Sequence, residues 1–200
     1  KLARGANFQC IMSDSPIPSE HIYREAQEGR MGVRLMAIVA EGTRGRVYLP
    51  PLSEHEAMAA QAKPVWKPDL SMPENPRWFS PPLYGLKKYG DLFTPRQLVA
   101  LTTFSDLVGE ARQVIRADAI AAGLADDGIG LEAGGRGATA YAEAVSVYLA
   151  FGVDRCANYW SSLTAWGGEF IVQTFGRQAL PMIWDYSECS IFSDSTGNWN

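Results

Sequence analysis

The sequence predicts an α+β domain that is mainly helical and contains a long antiparallel helical hairpin. Two long segments in the second half carry apolar residues at three- and four-residue steps, the spacing of one helix face. Near the N-terminus, strand-like runs flank a short helical pattern and predict a small β-α-β-β unit. We therefore divide the chain into that unit at residues 1–50, a proline-rich irregular segment at 51–93 and a helical region at 94–200.

The first helix of the hairpin is predicted to begin at Pro95 and to end near Ala122, before Gly123. Thr94 can accept a hydrogen bond from the backbone N–H of Gln97, whose side chain can reach back to the backbone of Thr94. Pro95 suits the first helical position because its missing N–H costs nothing there. The predicted buried face consists of Leu98, Leu101, Phe104, Val108, Ala111, Ile115 and Ala119.

The second helix is predicted from about Ala138 to Ala165, after a loop from Leu124 to Gly137 that is rich in glycine and aspartate and is expected to be flexible. Because the two helices are similar in length, an antiparallel arrangement is the simplest. The glycines at 134–137 follow no strand, so they do not fit a nucleotide-phosphate loop.

The first half of the chain is predicted to be less regular. Strands are expected at residues 8–12, 32–40 and 46–49, with a helix at 19–30. Nine of the twelve prolines lie between residues 50 and 95, which excludes regular structure over most of that segment. The segment also carries tryptophans, so we expect it to pack against the domain rather than extend into solvent.

The formal net charge of −4 argues against bulk attraction to nucleic acid. The balance is uneven, because residues 1–100 hold 13 basic and 10 acidic side chains and residues 101–200 hold 5 and 12. The two halves therefore carry +3 and −7. A bound polyanion should meet the first half, although two ordinary solvated surfaces also account for the pattern.

The three cysteines, Cys10, Cys156 and Cys189, are isolated in the sequence and form no Cys-x-x-Cys pair. This pattern fits neither a disulfide framework nor a complete zinc site and favours reduced thiols in the cytoplasm. His21 and His55 are too few and too isolated to form a metal site. No apolar run approaches the roughly 20 residues of a membrane span, so no membrane partner is expected.

No catalytic, cofactor-binding or metal-ligating residue can be assigned in the sequence. The run Ser80-Pro81-Pro82-Leu83 approaches the polar-Pro-Pro-aromatic tetrad of amino-group DNA methyltransferases, in which the aromatic ring stacks on a flipped base. Leu83 stands where that aromatic residue should be, and no strand precedes Ser80. The run is therefore predicted to be structural.

A denser polar cluster lies near the C-terminus and holds Arg177, Gln178, Trp184, Asp185 and Glu188. Arginine and glutamine are the side chains that read guanine and adenine edges, and aromatic rings stack on unpaired bases. The structural alternative is that Trp184 packs in the core while Arg177 pairs with Asp185 or Glu188. The sequence leaves both interpretations open.

Four blocks of sequence, spread over most of the chain, share one family resemblance. They are RMGVRLMAIVAEG at 30–42 with RVYLP at 46–50, DLFTPRQL at 91–98, FGRQALPMIWDY at 175–186 and FSDSTGNW at 192–199. In this order they resemble the middle of bacterial adenine-specific DNA methylases that contain a Zn-ribbon. The resemblance implies a parent enzyme that transfers a methyl group from S-adenosylmethionine to N6 of adenine in double-stranded DNA.

The resemblance also implies that this chain is a central piece of that enzyme and is not active alone. The cofactor motif and a possible zinc ribbon would lie upstream, and the Asp-Pro-Pro-Tyr motif downstream. We expect either a DNA-recognition or DNA-positioning insert, or a module that braces the methyltransferase halves without touching DNA. The expected DNA contacts are Lys87, Lys88, Arg96, Gln97, Arg177 and Gln178, because phosphates attract cations near a helix N-terminus.

Overall fold

Residues 8–199 are described by a computed structural model, and they form four α-helices and three two-stranded antiparallel sheets. The helices are α1 (Ser19–Gln27), α2 (Ser53–Ala59), α3 (Pro95–Ala121) and α4 (Ala138–Tyr159). The strands are β1 (Phe8–Gln9), β2 (Pro16–Ile17), β3 (Ile38–Gly42), β4 (Gly45–Leu49), β5 (Ala165–Trp166) and β6 (Ile171–Val172). The predicted class, α+β and mainly α, is confirmed.

The antiparallel hairpin of α3 and α4 is the largest unit of the fold, as predicted. Arg112 pairs with Glu143, and the Nε of Arg116 donates to the hydroxyl of Thr139 at 3.1 Å, which sets the register between the helices. Small residues lie between the two helices. Ala119 of α3 is buried, and so are alanines in the first turns of α4. Small side chains allow the two backbones to approach closely along this seam.

The second helix ends at Tyr159, earlier than the expected Ala165. Trp160 leaves the helical conformation with φ −108° and ψ 55°. The residues that follow it form hydrogen bonds with distant segments of the chain. The hydroxyls of Ser161 and Thr174 lie 2.6 Å apart, and the backbone N–H of Ser162 donates to the carbonyl of Leu92 at 2.7 Å. These long-range bonds replace the helical ones that continuation to Ala165 would have formed.

The N-terminal strands form two separate sheets rather than one unit. β1 pairs with β2, and β3 pairs with β4 from Ile38↔Leu49 to Gly42↔Gly45. Two residues of the β3–β4 hairpin, Arg46 and Tyr48, make polar contacts with the rest of the molecule, including an ion pair between Arg46 and Glu169. Arg46 donates to the carbonyl of Glu169 at 3.3 Å, and the indole N–H of Trp166 donates to the hydroxyl of Tyr48 at 3.2 Å.

The proline-rich segment contacts the domain through its backbone and Met72, whereas its two tryptophans, Trp66 and Trp78, are exposed. Met72 is buried, and its backbone N–H donates to the carbonyl of Lys87 at 2.9 Å. Gly90 passes so close to the carbonyl of Pro68 that an added Cβ would collide with it. The segment ends in two short 3₁₀ helices, Pro81–Tyr84 and Tyr89–Leu92, which lead into α3.

Two clusters of apolar side chains form the core. The first comprises Met72, Leu92, Leu163 and Leu180, and the second Leu101, Cys156 and Trp160. Both gather segments that are distant in the chain around the start of α3. No helix within residues 8–199 is both long enough and apolar enough to traverse a bilayer.

The loop between α3 and α4 was expected to be flexible, but its backbone is held by two carboxylates. Asp126 accepts from the N–H groups of Gly128 and Thr139, and Asp127 accepts from that of Ile129. The bonds to Thr139 and Gly128 lower the pKa of Asp126. The aspartates that suggested a loose loop are therefore the groups that order it.

Candidate nucleic-acid interface

Three positive side chains surround the start of α3, and carboxylates hold two of them. Lys88 pairs with Asp69, and this hydrogen bond raises the pKa of Lys88. Arg96 places Nε and Nη2 each 2.8 Å from the carboxylate oxygens of Glu188, and this bidentate bond raises the pKa of Arg96. Lys87 is exposed and has no ion pair within residues 8–199. Only part of the expected positive charge is therefore free for a phosphate.

The carboxylate of Asp91 binds Lys67 and the backbone of the loop that carries Lys87 and Lys88. Burial raises the pKa of its carboxyl group, but hydrogen bonds from Lys67 and from backbone N–H groups outweigh burial, and the net shift is downward. Lys67 Nζ lies 2.8 Å from one carboxylate oxygen, and the N–H groups of Lys87 and Lys88 donate to the other at 3.0 and 2.9 Å. Asp91 therefore balances the positive charge of Lys67 and holds the backbone of the loop that carries Lys87 and Lys88.

The N-terminus of α3 forms the capping box that the sequence predicted. The N–H of Gln97 donates to the hydroxyl of Thr94 at 3.3 Å, and the N–H of Thr94 donates to the side-chain oxygen of Gln97 at 2.8 Å. Pro95 has no N–H, and Glu188 lies at the same end, 3.4 Å from the Thr94 hydroxyl. A carboxylate already stands where the helix dipole would favour a phosphate. Gln97 is only 3 % exposed, which removes it from any surface on which a duplex could lie.

Arg177 and Gln178 are exposed, and the fold joins their segment to one whose residues the sequence did not single out as a site. A parallel bridge joins Phe79 to Leu180, and the N–H of Leu180 donates to the carbonyl of Trp78 at 2.7 Å. Two residues precede each bridge partner in a turn or bend, Arg77 and Trp78 on one segment and Arg177 and Gln178 on the other. We call Arg77, Trp78, Arg177 and Gln178 the bridge-edge surface.

The chemistry of the bridge-edge surface is basic and aromatic. The guanidinium carbon of Arg77 lies 5.1 Å from the centre of the Trp78 ring. Trp78 is 49 % exposed. Within the described part of the chain, neither Arg77 nor Arg177 has an ion pair. No sequence signal pairs these segments, because about a hundred residues separate them.

The polar cluster near the C-terminus resolves into separate contacts. Trp184 makes T-shaped contacts with Phe8 and Tyr84, with ring centres 5.0 and 5.2 Å apart, and is partly buried. Glu188 pairs with Arg96, whereas Arg177 stays exposed. The packing role expected of Trp184 in the structural alternative is thus observed, and the expected pairing of Arg177 is not.

The Ser80-Pro81-Pro82 run serves the fold. The hydroxyl of Ser80 accepts the backbone N–H of Met182 at 2.7 Å, and Pro81 is buried at the start of a 3₁₀ helix. This polar side chain is therefore occupied by the backbone of the 175–186 block.

Three of the four resemblance blocks meet around the start of α3. Leu92 of the second block and Leu180 of the third share one cluster, and Trp199 of the fourth stacks on Phe104 of α3 with ring centres 4.0 Å apart. Comparison of the chain with protein-family models, curated protein sequences and solved structures finds no match. Residues 8–199 contain no group of three or more side chains arranged to hold a metal ion.

Proposed function

We propose that this chain is the inserted DNA-recognition or DNA-positioning region of an S-adenosylmethionine-dependent, adenine-specific (N6) DNA methyltransferase in the bacterial cytoplasm. The blocks that resemble this family support the proposal, since two of them share one core cluster and a third packs on the neighbouring cluster, although they are far apart in sequence. Other parts of the parent enzyme would bind the cofactor and the target adenine. This region would hold the duplex, and it would have no methyltransferase activity alone.

The observation that carries a DNA contact is the bridge-edge surface. Its two arginines lack intramolecular ion pairs within residues 8–199, so binding a phosphate there would not require breaking one. The amide of Gln178 can both donate to and accept from a base edge. Lys87 adds a further exposed cation on the loop before α3. Lys88 and Arg96, by contrast, would first have to leave Asp69 and Glu188.

Fluorescence anisotropy with a labelled duplex over a series of salt concentrations tests this proposal. Binding should weaken as salt rises, and each lost phosphate contact should reduce the slope of log K against log salt by about 0.9. Arg77→Ala and Arg177→Ala should each show that reduction. Arg44→Ala removes the same charge from the exposed turn between β3 and β4 and should leave the slope unchanged.

Absence of salt-sensitive binding in both this chain and the parent enzyme would contradict the DNA proposal. Equal effects of Arg44→Ala and Arg177→Ala would contradict the assignment to the bridge-edge surface, because only overall charge would then matter.

The alternative function, bracing the methyltransferase halves without DNA contact, is favoured by one exposed face of the hairpin. The Arg112–Glu143 pair sets Leu107 level with Tyr148 and Val114 level with Tyr141, and helix geometry directs all four to the same side. All four are exposed, and Tyr148 reaches 76 %. A face of this kind is typical of a protein–protein contact.

Crosslinking in the parent enzyme separates the two functions. Under the bracing function, Tyr148→Lys should remove crosslinks between this region and the other domains while duplex affinity stays the same. Under the DNA function, Arg177→Ala should lower duplex affinity while the crosslinks remain.

A further inference from the structure

The two sides of the α3–α4 hairpin differ in chemistry. On one side, Arg112 and Arg116 of α3 form ion pairs with carboxylates of α4 and of the connecting loop. Helix geometry directs four exposed apolar side chains to the opposite side. We call this side the open face, and its four large residues are Leu107, Val114, Tyr141 and Tyr148. Ion pairs therefore complete one side of the hairpin, whereas the open face leaves large apolar side chains in solvent.

A hollow lined by small residues lies at the centre of the open face. The register of the hairpin places Ala111 of α3 level with Ala144 of α4, between the row of large side chains that holds Tyr148 and the row that holds Tyr141. These rows are seven residues apart, or about 10 Å along the helix axis. Both alanines are partly buried and form the floor. The hollow therefore suits one large apolar side chain of a partner, as a knob fits a hole between helices.

The spacing of the open face favours a helix as the partner. Its residues recur at steps of four and three along α3 (107, 111 and 114) and of three and four along α4 (141, 144 and 148). This is the heptad spacing with which helices pack lengthwise on one another. The two helices already contact each other through a separate set of buried residues, among them Ala119 and Ala142. Each helix thus has a second apolar stripe, the pattern of two helices in a three-helix bundle.

The charge at the open face favours a basic partner. Asp118 lies four residues beyond Val114 on this face, and Glu110 lies at its outer edge. Neither carboxylate has an ion pair within residues 8–199. Arg155, the single cation of α4, lies about three turns from the hollow, near the end of that helix. Lysine or arginine on a partner would therefore meet two free carboxylates.

The same charges disfavour other occupants. Residues 103–155, which include most of the hairpin and its loop, hold 8 acidic and 4 basic side chains, a net charge of −4. A phosphate backbone or an anionic lipid surface would be repelled, and a second copy of the hairpin would bring like charges together. The open face is thus better suited to a basic helix than to DNA, a lipid surface or a second copy.

We propose that the open face binds one amphipathic α-helix from another domain of the parent enzyme. The partner helix would set a large apolar residue over Ala111 and Ala144, and lysine or arginine beside Glu110 and Asp118. This inference rests on the bracing function, because it requires a longer protein, and it gives the chemistry of the partner surface. It does not depend on DNA contact.

Site-specific photocrosslinking in the full-length parent enzyme tests this contact. Tyr148→p-benzoylphenylalanine puts a photoreactive ring on the open face, and mass spectrometry identifies the peptide that it captures. The expected peptide belongs to the same polypeptide, has apolar residues at three- and four-residue steps, and carries lysine or arginine beside them. Gln113→p-benzoylphenylalanine, at an exposed position of α3 outside the open face, is the control and should not capture that peptide.

A second pair of variants, combined with the photocrosslinker at position 148, tests the hollow. Ala111→Phe fills the hollow and should reduce the yield of the crosslink about tenfold or more, because the apolar side chain of the partner would no longer fit. Ala150→Phe makes the same change at an exposed position of α4 on the opposite side of the hairpin, and it should leave the yield unchanged.

A third pair tests the charges. Glu110→Lys combined with Asp118→Lys should reduce the crosslink about threefold or more, because the basic partner would meet two like charges. Glu132→Lys combined with Asp154→Lys makes the same change in net charge at exposed positions outside the open face, and it should have no such effect.

The inference is overturned if the photocrosslinker at position 148 captures no peptide, or if position 113 captures the same peptide equally well. Capture of a second copy, detected in a mixture of isotope-labelled and unlabelled enzyme, would also overturn it. Capture of a segment without helical spacing and basic residues would overturn the helix but leave the bracing function standing. Failure of the DNA proposal is recognised separately, by the salt dependence of duplex binding and by Arg177→Ala.

Discussion

At the residue scale, Gln97 caps α3, and the two ends of its amide differ in their hydrogen bonding. Its oxygen accepts the N–H of Thr94, and its nitrogen is buried without a partner within residues 8–199. Arg96 pairs with Glu188 rather than pointing freely into solvent. At both positions the residue type predicted DNA contact, and the structure shows an intramolecular partner, Thr94 for Gln97 and Glu188 for Arg96.

Thr94→Ala should lower the free energy of unfolding by about 1 kcal/mol, because it removes the side chain that caps α3. Thr103→Ala in the same helix is the matched control. The Thr103 hydroxyl bonds back to the carbonyl of Val99, and alanine is the better helix former there, so stability should stay equal or rise slightly. Urea unfolding followed by circular dichroism measures both. Equal losses in the two variants would contradict the capping role.

Asp91 should make stability depend on pH in the acid range. Its pKa is lower in the folded chain than in the unfolded chain, so its contribution is complete above the unfolded value of about 3.9. That contribution is lost as pH falls through the lower, folded value. Asp91→Asn should therefore show a smaller loss of stability between pH 5 and pH 2, in urea unfolding at each pH. Asp106→Asn, at an exposed carboxylate of α3, serves as the control; an equal change there would contradict the assignment.

The packing of the proline-rich segment against the loop before α3 is decided at the element scale by backbone proximity. Gly90 lies under the carbonyl of Pro68, and the N–H of Tyr89 donates to the carbonyl of Leu70 at 2.9 Å. Proline removes the option of regular structure, so the segment satisfies its backbone by pairing with the 87–90 loop. This close approach requires a residue without a side chain.

Gly90→Ala should destabilise the protein, because its Cβ would collide with backbone atoms that cannot move independently. We expect a loss of at least about 2 kcal/mol, within the range for strained or overpacked sites. Gly109→Ala is the matched control, since it lies in α3 with open space around it and should stabilise by about 1 kcal/mol. Thermal unfolding of the two variants should shift in opposite directions. A neutral Gly90→Ala would show that the segment is not held as described.

At the scale of the whole molecule, buried side chains are unevenly distributed along the chain. The described core residues lie almost entirely between Met72 and Leu180, where the proline-rich segment, α3 and the segment after α4 converge. The β3–β4 hairpin has no buried residue and is attached mainly through Tyr48 and Arg46. Local stability follows buried contacts, so these regions should open with different free energies.

Hydrogen exchange followed by mass spectrometry should show this difference. Amides in residues 38–49 should exchange much faster than those in residues 98–102, because the hairpin strands pair only with each other. Tyr48→Phe removes the hydroxyl that accepts from Trp166 and should speed exchange in the hairpin alone. Equal protection of the two segments would contradict this division.

Local patterns allowed the sequence to predict much of the fold. The capping box of Thr94 and Gln97, the start of α3 and its end near Ala122 depend on residues within a few positions of each other, so the sequence contains the complete signal. The end of α4 was misjudged because Trp160 and the residues after it bond to distant segments. Helix propensity describes local preferences only, so it does not predict that hydrogen bonds to distant segments will end a helix.

The sequence by itself determined the helical hairpin, the capped start of α3 and the irregularity of the proline-rich segment. Only the tertiary structure decided which polar groups are free. It paired Arg96 with Glu188, buried Gln97, and joined the segment that carries Arg77 and Trp78 to the segment that carries Arg177 and Gln178. The physical reason is range: periodicity, caps and proline geometry act over a few residues, whereas ion pairs, burial and shared surfaces depend on which distant segments the core brings together.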